Sequence, residues 1–200
     1  MRDLSLHVMD LAQNSVRAEA SQVRITLDVD VPGDRLTLTI ADDGFGMSPA
    51  LLATVRSPFA TTRTTRRVGL GIPLFEENAQ ASGGAVSLAS VEGEGTRISG
   101  TFGLSHVDRP PLGDLTGTLL ALIVSAPPAL DYLLEVTAGE QRYELDTRAL
   151  RQALGEVGLD TPEVVQWMRE SMDEGIQTLA PALWQEARAQ TVPRGPRTAQ

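Results

Sequence analysis

The sequence contains no cysteine and no lysine, and each absence excludes a kind of chemistry. Without cysteine there can be no disulfide bond, thiolate metal ligand or cysteine nucleophile. All 17 basic residues are arginine, which excludes a P-loop, because that motif needs a lysine that reaches the terminal phosphates of a nucleotide. Any nucleotide site in this chain must therefore use another design.

Basic charge and long apolar runs are also scarce. The net charge of -9 over 200 residues gives no basic footprint of the kind that nucleic-acid binding requires. The longest largely apolar run, Leu119 to Ala126, is much shorter than the ~20 residues of a membrane helix. The first ten residues lack the basic head and apolar stretch of a secretory signal. We therefore expect a cytoplasmic protein that binds neither nucleic acid nor membrane.

The first hundred residues carry helical and strand patterns in a definite order. Apolar residues recur at helical spacing from about Asp3 to Glu19, and two strand-like runs with period two flank the turn Pro32-Gly33-Asp34. The remaining patterns predict helices at 48–55 and about 69–81, and strands at 85–91 and 96–104. This order predicts an α+β fold: a two-layer sandwich with helices on one face of a mostly antiparallel sheet.

The composition changes after Ser105, where Asp108 to Gly113 is a proline-containing linker. A helix, a hairpin and two further helices are predicted beyond it, the last from Thr161 to about Ala189. We predict an N-terminal domain at 1–104, a linker at 105–113, a small α+β extension at 114–190 and a disordered tail at 191–200. We interpret Trp167, Met168 and Met172 as core or dimer contacts rather than as a cofactor site.

Two polar residues interrupt the apolar pattern of the first helix. Asp10 and Asn14 lie four residues apart and so share one helix face. An asparagine oxygen is a hard ligand of the kind that Mg²⁺ prefers, and a carboxylate one turn back could orient or deprotonate a nucleophile. The alternative is an ordinary solvated helix face.

Three glycine-containing segments add further candidate residues. Asp42-Asp43-Gly44-Phe45-Gly46 follows the second strand, where a carboxylate could accept a hydrogen bond from an exocyclic amine and glycines let the backbone approach a flat ligand. Gly69-Leu70-Gly71-Ile72 opens a predicted helix, whose N-terminus can bind an anion, and the arginine-rich loop before it could close over phosphates. In Gly93-Glu94-Gly95-Thr96 the threonine could bond a base. The alternative for the first segment is an ordinary Asp-Gly turn, and for the second a flexible loop. The alternative for the third is that the threonine only begins a strand.

Together these motifs resemble the GHKL superfamily, which includes gyrase B, heat-shock chaperone ATPases, histidine kinases and MutL. The resemblance covers about residues 3 to 103. It rests on five segments: an N box at His7 to Asn14, a first glycine box at Asp42 to Gly46, a kinase-like stretch at Pro58 to Arg63, a second glycine box at Gly69 to Ile72, and Gly93 to Thr96.

The resemblance implies a Bergerat-fold domain that uses ATP and Mg²⁺. Asn14 would coordinate the metal, and Asp42 would accept from the adenine amino group. Gly46 and Met47 would line the base, with Thr96 as its support. Gly69, Leu70 and Gly71 would meet the phosphates, and Arg63 would contact them as well. Gly44 and Thr62 are the other cofactor-binding positions implied.

Two positions depart from the family pattern. Arg67 stands where a glycine usually begins the second box. Asp10 stands where ATP-hydrolysing members and serine kinases usually carry glutamate, and where many histidine kinases carry asparagine or another residue. Aspartate is shorter by one methylene, so Asp10 acts either as a catalytic base through a water or only as a hydrogen-bonding residue.

The motif spelling is most similar to the catalytic domain of histidine kinases, yet neither His7 nor His106 lies in a phospho-acceptor context. We do not expect autophosphorylation on histidine. Three functions remain: an ATPase or kinase acting with a partner protein, a serine/threonine kinase of the anti-sigma type, and a non-catalytic ATP-dependent interaction module. The chain could form a homodimer in each of these three functions.

Overall fold

The computed structural model describes residues 3–55, 71–183 and 185, and it confirms the predicted α+β sandwich. In the first half, the elements are α1 (Leu4–Arg17), β1 (Gln22–Asp30), β2 (Arg35–Asp42), α2 (Pro49–Val55), α3 (Gly71–Ala81), β3 (Val86–Val91) and β4 (Gly95–Gly103). In the second half they are α4 (Leu115–Val124), β5 (Asp131–Ala138), β6 (Gln141–Asp146), α5 (Thr147–Leu154) and α6 (Pro162–Leu179).

The first two helices begin at capping side chains. The Asp3 carboxylate accepts the Leu6 amide at 3.0 Å, which caps α1. Ser48 accepts the Leu51 amide through its Oγ at 3.3 Å, and Pro49 takes the first helical position of α2.

The six strands form a single sheet in the order β3-β4-β2-β1-β5-β6. The β1–β5 pair is parallel, and each of the other pairs is antiparallel. Alternation along β1 directs Val23, Ile25 and Leu27 into the core. The opposite sheet face is polar, as the hydrogen bond of 2.8 Å between the Thr39 and Ser99 hydroxyls on β2 and β4 illustrates.

The helices form the second layer over the apolar sheet face. α1 packs between α3 and α4, and α6 lies beyond α4 over β5 and β6. The core that results is continuous from Phe75 on α3 to Met168 and Met172 on α6. Met168 and Met172 are therefore core residues, whereas Trp167 is 51% exposed.

The C-terminal extension shares this sheet, because β5 pairs along the whole of β1 from Gln22↔Asp131 to Val29↔Ala138. The boundaries of 104 and 114 between a domain, a linker and an extension stay a prediction. Within the described ranges, no helix is both long enough and apolar enough to cross a membrane.

The final helix was predicted to run without a break to about Ala189, and its continuity is wrong. α6 ends at Leu179, Ala180 leaves the helical conformation with φ -136° and ψ 60°, and residues 181–183 are helical again. The break is explained by Pro181, because a proline disfavours the helical conformation of the residue before it. The predicted end near Ala189 lies outside the described residues.

Candidate functional site

A cavity of about 210 Å³ lies between the C-terminal half of α1 and the end of β2. Asn14, Asp42 and Thr96 line it, together with mostly apolar side chains: Leu11, Ile40, Met47, Leu51, Val55, Ile72, Leu88 and Ile98. The amide of α1 and the carboxylate of β2, expected from sequence to share one site, therefore lie on one cavity. An apolar slot with a few placed polar groups suits a flat ligand with polar edges.

The Asp42 carboxylate is held by hydrogen bonds from two sides of the cavity. Its Oδ2 accepts the Ser15 hydroxyl of α1 at 2.6 Å. Its Oδ1 accepts the amides of Gly44 at 3.1 Å and Thr96 at 3.2 Å. These three donors come from three different segments, so the carboxylate has one fixed orientation.

A second hydrogen-bond network joins Thr96 to the glycine loop. The Ser90 hydroxyl contacts the Thr96 hydroxyl at 2.9 Å and the Gly95 carbonyl at 2.9 Å, and it accepts the Met47 amide at 2.8 Å. Thr96 is therefore fixed at the edge of the cavity by the neighbouring strand β3.

The glycines of the loop are needed for packing against the protein's own backbone. Gly46 has φ +63°, and a Cβ there would lie 2.0 Å from the Val91 carbonyl oxygen. A Cβ on Gly44 would lie 2.5 Å from the Ala18 oxygen. Gly46 lines the cavity, whereas Gly44 does not. Close approach of the loop to β3 and α1 shapes this end of the site.

Asp43 stands next to Asp42, but its carboxylate binds to the start of β1 and not to the cavity. It accepts the amides of Ser21 and Gln22, each at 2.8 Å, and the Ser21 hydroxyl at 2.5 Å. Burial alone would raise the pKa of Asp43, but these hydrogen bonds outweigh it and the pKa is lowered. Asp43 therefore ties the end of β2 to the start of β1.

The polar face of α1 carries the other two candidate residues. The Asn14 Oδ1 accepts Nη1 of Arg17 at 2.9 Å, and both residues line the cavity. Asp10 is exposed and lies one turn back, outside the set of lining residues. A Cβ placed on Gly71 would lie 3.5 Å from the Asp10 Oδ2, so Asp10 faces the first residue of α3.

Four predicted positions, Thr62, Arg63, Gly69 and Leu70, lie outside the described residues. Three residues that sequence reasoning missed stand at the site: Ser15, Ser90 and Arg17. The sequence did carry a signal for Ser15, because it is a polar residue next to Asn14 on a helix whose buried face is otherwise apolar. Ser90 offers none, since its role depends on the pairing of β3 with β4.

His7 of the N box is a core residue. It is fully buried, its Nε2 lies 2.7 Å from the Asn78 amide nitrogen, and its ring packs on Phe75 with 5.2 Å between centroids. Burial lowers the pKa of His7 to about 4, so the ring is neutral at pH 7. His7 thus joins α1 to α3 behind the site.

Comparison with known proteins gives matches along most of the chain. The family described as histidine kinase-, DNA gyrase B- and HSP90-like ATPase matches residues 2–106. An uncharacterized sensor-like histidine kinase of Rhizobium meliloti is 30% identical over 160 residues, 76% of this chain and 29% of that protein. The sensor histidine kinase ZraS of Salmonella typhi is 32% identical over 89 residues, 44% of this chain and 19% of that protein.

Among solved structures, the topoisomerase IV ATP-binding domain of Francisella tularensis covers 70% of this chain and 84% of its own, with 16% identity and a TM-score of 0.44. This chain spans less than a third of the length of the two curated relatives.

The chain belongs to the family of histidine kinase-, DNA gyrase B- and HSP90-like ATPases, because the match covers more than half of its residues. Within that family it is an ATP-binding, histidine kinase-like ATPase domain. The family resemblance predicted from the five motifs is confirmed.

Proposed function

We propose that this chain binds Mg-ATP in the cavity between α1 and β2 and activates the γ-phosphate for transfer to water or to a partner protein. The carrying observation is the placement of Asp42 and Asn14 on one apolar cavity. In this arrangement adenine contacts Asp42 and the phosphates run past Asn14 toward the start of α3. ATP as the substrate also fits the cytoplasmic location predicted from the sequence.

The free acceptor capacity of Asp42 supports the position of the adenine. A carboxylate has about four lone-pair sites. Among the described residues, Ser15, Gly44 and Thr96 supply three donors to Asp42. One acceptor position is left for an amine of the ligand, and the surrounding apolar side chains suit a purine ring.

Asn14 fits a magnesium ion held largely by the nucleotide. Mg²⁺ prefers hard oxygen ligands and is commonly held by one or two protein groups together with substrate phosphates. The Asn14 Oδ1 is such an oxygen, and a carbonyl oxygen has two lone pairs, of which Arg17 uses one. The ion, when bound, neutralises charge on the phosphate oxygens.

Asp10 is the residue that we assign as the base. It faces Gly71 at the N-terminus of α3, the end of a helix where backbone amides attract anions. Its exposure leaves it accessible to a water molecule or to a hydroxyl of a partner. A carboxylate there can accept the proton of the attacking group, which is the usual role of a base in phosphoryl transfer.

A non-catalytic role is the second candidate, and it has one observation in its favour. Asp10 is exposed and does not line the cavity, so the shorter acid stands back from the bound ligand. In that case ATP binding alone would change the affinity for a partner.

Incubation with γ-labelled ATP tests these candidates. We expect wild type to release phosphate, or to label a protein in a cell extract, and Asp10→Asn to lose this activity while it keeps ATP affinity. Asp10→Glu supplies the residue that ATP-hydrolysing members and serine kinases carry, and it should keep or raise the rate. Glu77→Gln, an exposed acid on α3, is the matched control and should behave as wild type.

Equal turnover in wild type and Asp10→Asn would show that Asp10 is not the base. Bound ATP that stays intact in wild type, with and without extract, would instead support the non-catalytic module.

A further inference from the structure

We infer that Ser90 keeps the ligand-binding position of Asp42 free, because it holds the hydroxyl proton of Thr96 away from the carboxylate. This inference rests on the proposed function, since it takes the amine of a nucleotide base as the group that fills that position. Ser90 does not itself line the cavity. It acts through Thr96, as a positioning residue that determines which base the site prefers.

Ser90, Thr96 and Asp42 lie side by side on three neighbouring strands. Ser90 of β3 pairs with Thr96 of β4, and Thr96 pairs in turn with Asp42 of β2. Residues directly opposite each other in an antiparallel pair share one sheet face, with Cβ atoms about 4.5–5.5 Å apart. Thr96 therefore has a hydroxyl on one side and a carboxylate on the other, and either could accept its proton.

The contacts of Ser90 are all satisfied by a single arrangement of hydroxyl protons. A serine hydroxyl has one proton to donate and two acceptor positions. The Gly95 carbonyl can only accept, so Ser90 donates its proton there at 2.9 Å. The Met47 amide can only donate, and it fills one acceptor position at 2.8 Å. The other acceptor position meets the Thr96 hydroxyl at 2.9 Å, so Thr96 is the donor in that contact.

The last acceptor position of Asp42 lies on Oδ2. Its Oδ1 already accepts the amides of Gly44 and Thr96, and its Oδ2 accepts the Ser15 hydroxyl. A hydrogen bond to an ionised acceptor is stronger than one between neutral groups. Without Ser90, the Thr96 hydroxyl would be released to donate to the carboxylate, where it would compete with the amine of the ligand.

This competition would change the preference between two kinds of base. The adenine of ATP carries an amine that can donate to Asp42. Inosine triphosphate carries a carbonyl in its place, which can make no hydrogen bond to the carboxylate. A Thr96 proton on Asp42 would therefore lower the affinity for ATP without a matching loss for inosine triphosphate. Ser90 thus favours an amino base over an oxo base.

Isothermal titration calorimetry with ATP and with inosine triphosphate, each with Mg²⁺, tests this role through the ratio of the two affinities. In Ser90→Ala we expect the preference for ATP to fall at least about fivefold, within the limit of about 150-fold set by one hydrogen bond to a charged group. Addition of Thr96→Val to Ser90→Ala removes the competing hydroxyl and should restore most of the preference. A loss of packing at β3 would not be repaired in this way.

Two further variants complete the set. Ser87→Ala is the matched control, because Ser87 is an exposed serine on the same strand, and it should leave the preference unchanged. Ser90→Cys keeps the shape of the side chain, but its sulfur is only a weak acceptor, so it should also lower the preference. It decides the question if Ser90→Ala does not fold, which thermal unfolding without nucleotide shows.

An unchanged preference for ATP in the folded Ser90 variants would overturn the inference. A double variant whose preference stays as low as that of Ser90→Ala would overturn it as well. In both cases wild type would still bind ATP, and the proposed function would stand. A wild-type protein that binds neither nucleotide would overturn the proposed function, and this inference with it.

Discussion

Replacement of Asp42 by asparagine isolates the contact that should select adenine. Asparagine keeps an oxygen that can accept the amides of Gly44 and Thr96. Its amide nitrogen can donate to the Ser15 hydroxyl, which is able to accept as well as to donate. The loop should therefore keep its fold, and the change falls on the one acceptor position that we assign to the ligand.

The magnitude follows from that single bond. A hydrogen bond to a charged group contributes about 1.5–3 kcal/mol, and removal of one should weaken ATP binding by about 10- to 150-fold. Asparagine would also present a donor to the adenine amine, which is itself a donor. Inosine triphosphate carries a carbonyl at that position, so Asp42→Asn should bind it more tightly than wild type does.

Isothermal titration calorimetry with ATP and with inosine triphosphate, each with Mg²⁺, measures both effects. Ser15→Ala removes one donor to Asp42 without changing the free acceptor, and it should reduce affinity less than Asp42→Asn. Thermal unfolding without nucleotide checks that the variants are folded. An Asp42→Asn protein with wild-type affinity and an unchanged nucleotide preference would refute the assignment of the adenine end.

Two further predictions concern Asn14 and His7. Asn14→Ala should weaken ATP binding far more in Mg²⁺ than in EDTA, since its oxygen acts through the metal; calorimetry in both buffers measures the difference. His7 is neutral in the folded protein, with a pKa of about 4 against 6.5 in the unfolded chain. Its contribution to the free energy of unfolding should be complete above pH 6.5 and should fall by up to about 3 kcal/mol as the pH drops to 4, as measured by urea unfolding.

Each of these two predictions has its own check. Equal losses for Asn14→Ala with and without Mg²⁺ would show that the asparagine does not act through a metal. His7→Gln removes the titrating ring, so its stability should depend less on pH between 6.5 and 4 than that of wild type. Parallel pH profiles for the two proteins would contradict the assignment of His7 as the group that titrates.

Local patterns predicted the elements of the N-terminal half well. The alternation in β1 and β2 and the helical spacing in α1 depend on neighbours in sequence, so one sequence was sufficient to identify them. The meeting of Asn14 and Asp42 on one cavity was also expected, because ordered motifs specify a long-range arrangement that each motif alone does not.

The partners that fix the site could not be predicted in the same way. Ser15 and Asp42 are 27 residues apart, and their contact depends on how α1 lies over the sheet. Ser90 reaches Met47 and Thr96 only because β3 pairs with β4 in one register. The break after α6 did carry a signal, Pro181, which the prediction of the last helix did not use.

The parallel pairing of β5 with β1 was not predicted, because the composition of the linker suggested that a separate unit follows it. The pairing depends on the return of the chain through α4. No local pattern in β1 indicates that β5 pairs with its free edge. Strands β1 and β5 therefore illustrate contacts that topology decides and that neither propensity nor periodicity specifies.

The shared sheet has a consequence for how this chain can be divided. Truncation after residue 106, where the family match ends, would strip β1 of its parallel neighbour and uncover a row of backbone amides and carbonyls. It would also remove α4 from beside α1, the helix that carries Asn14. An exposed strand edge above a stripped apolar surface invites aggregation. The cavity at Asp42 is thus supported from behind by a segment that contributes no residue to its walls.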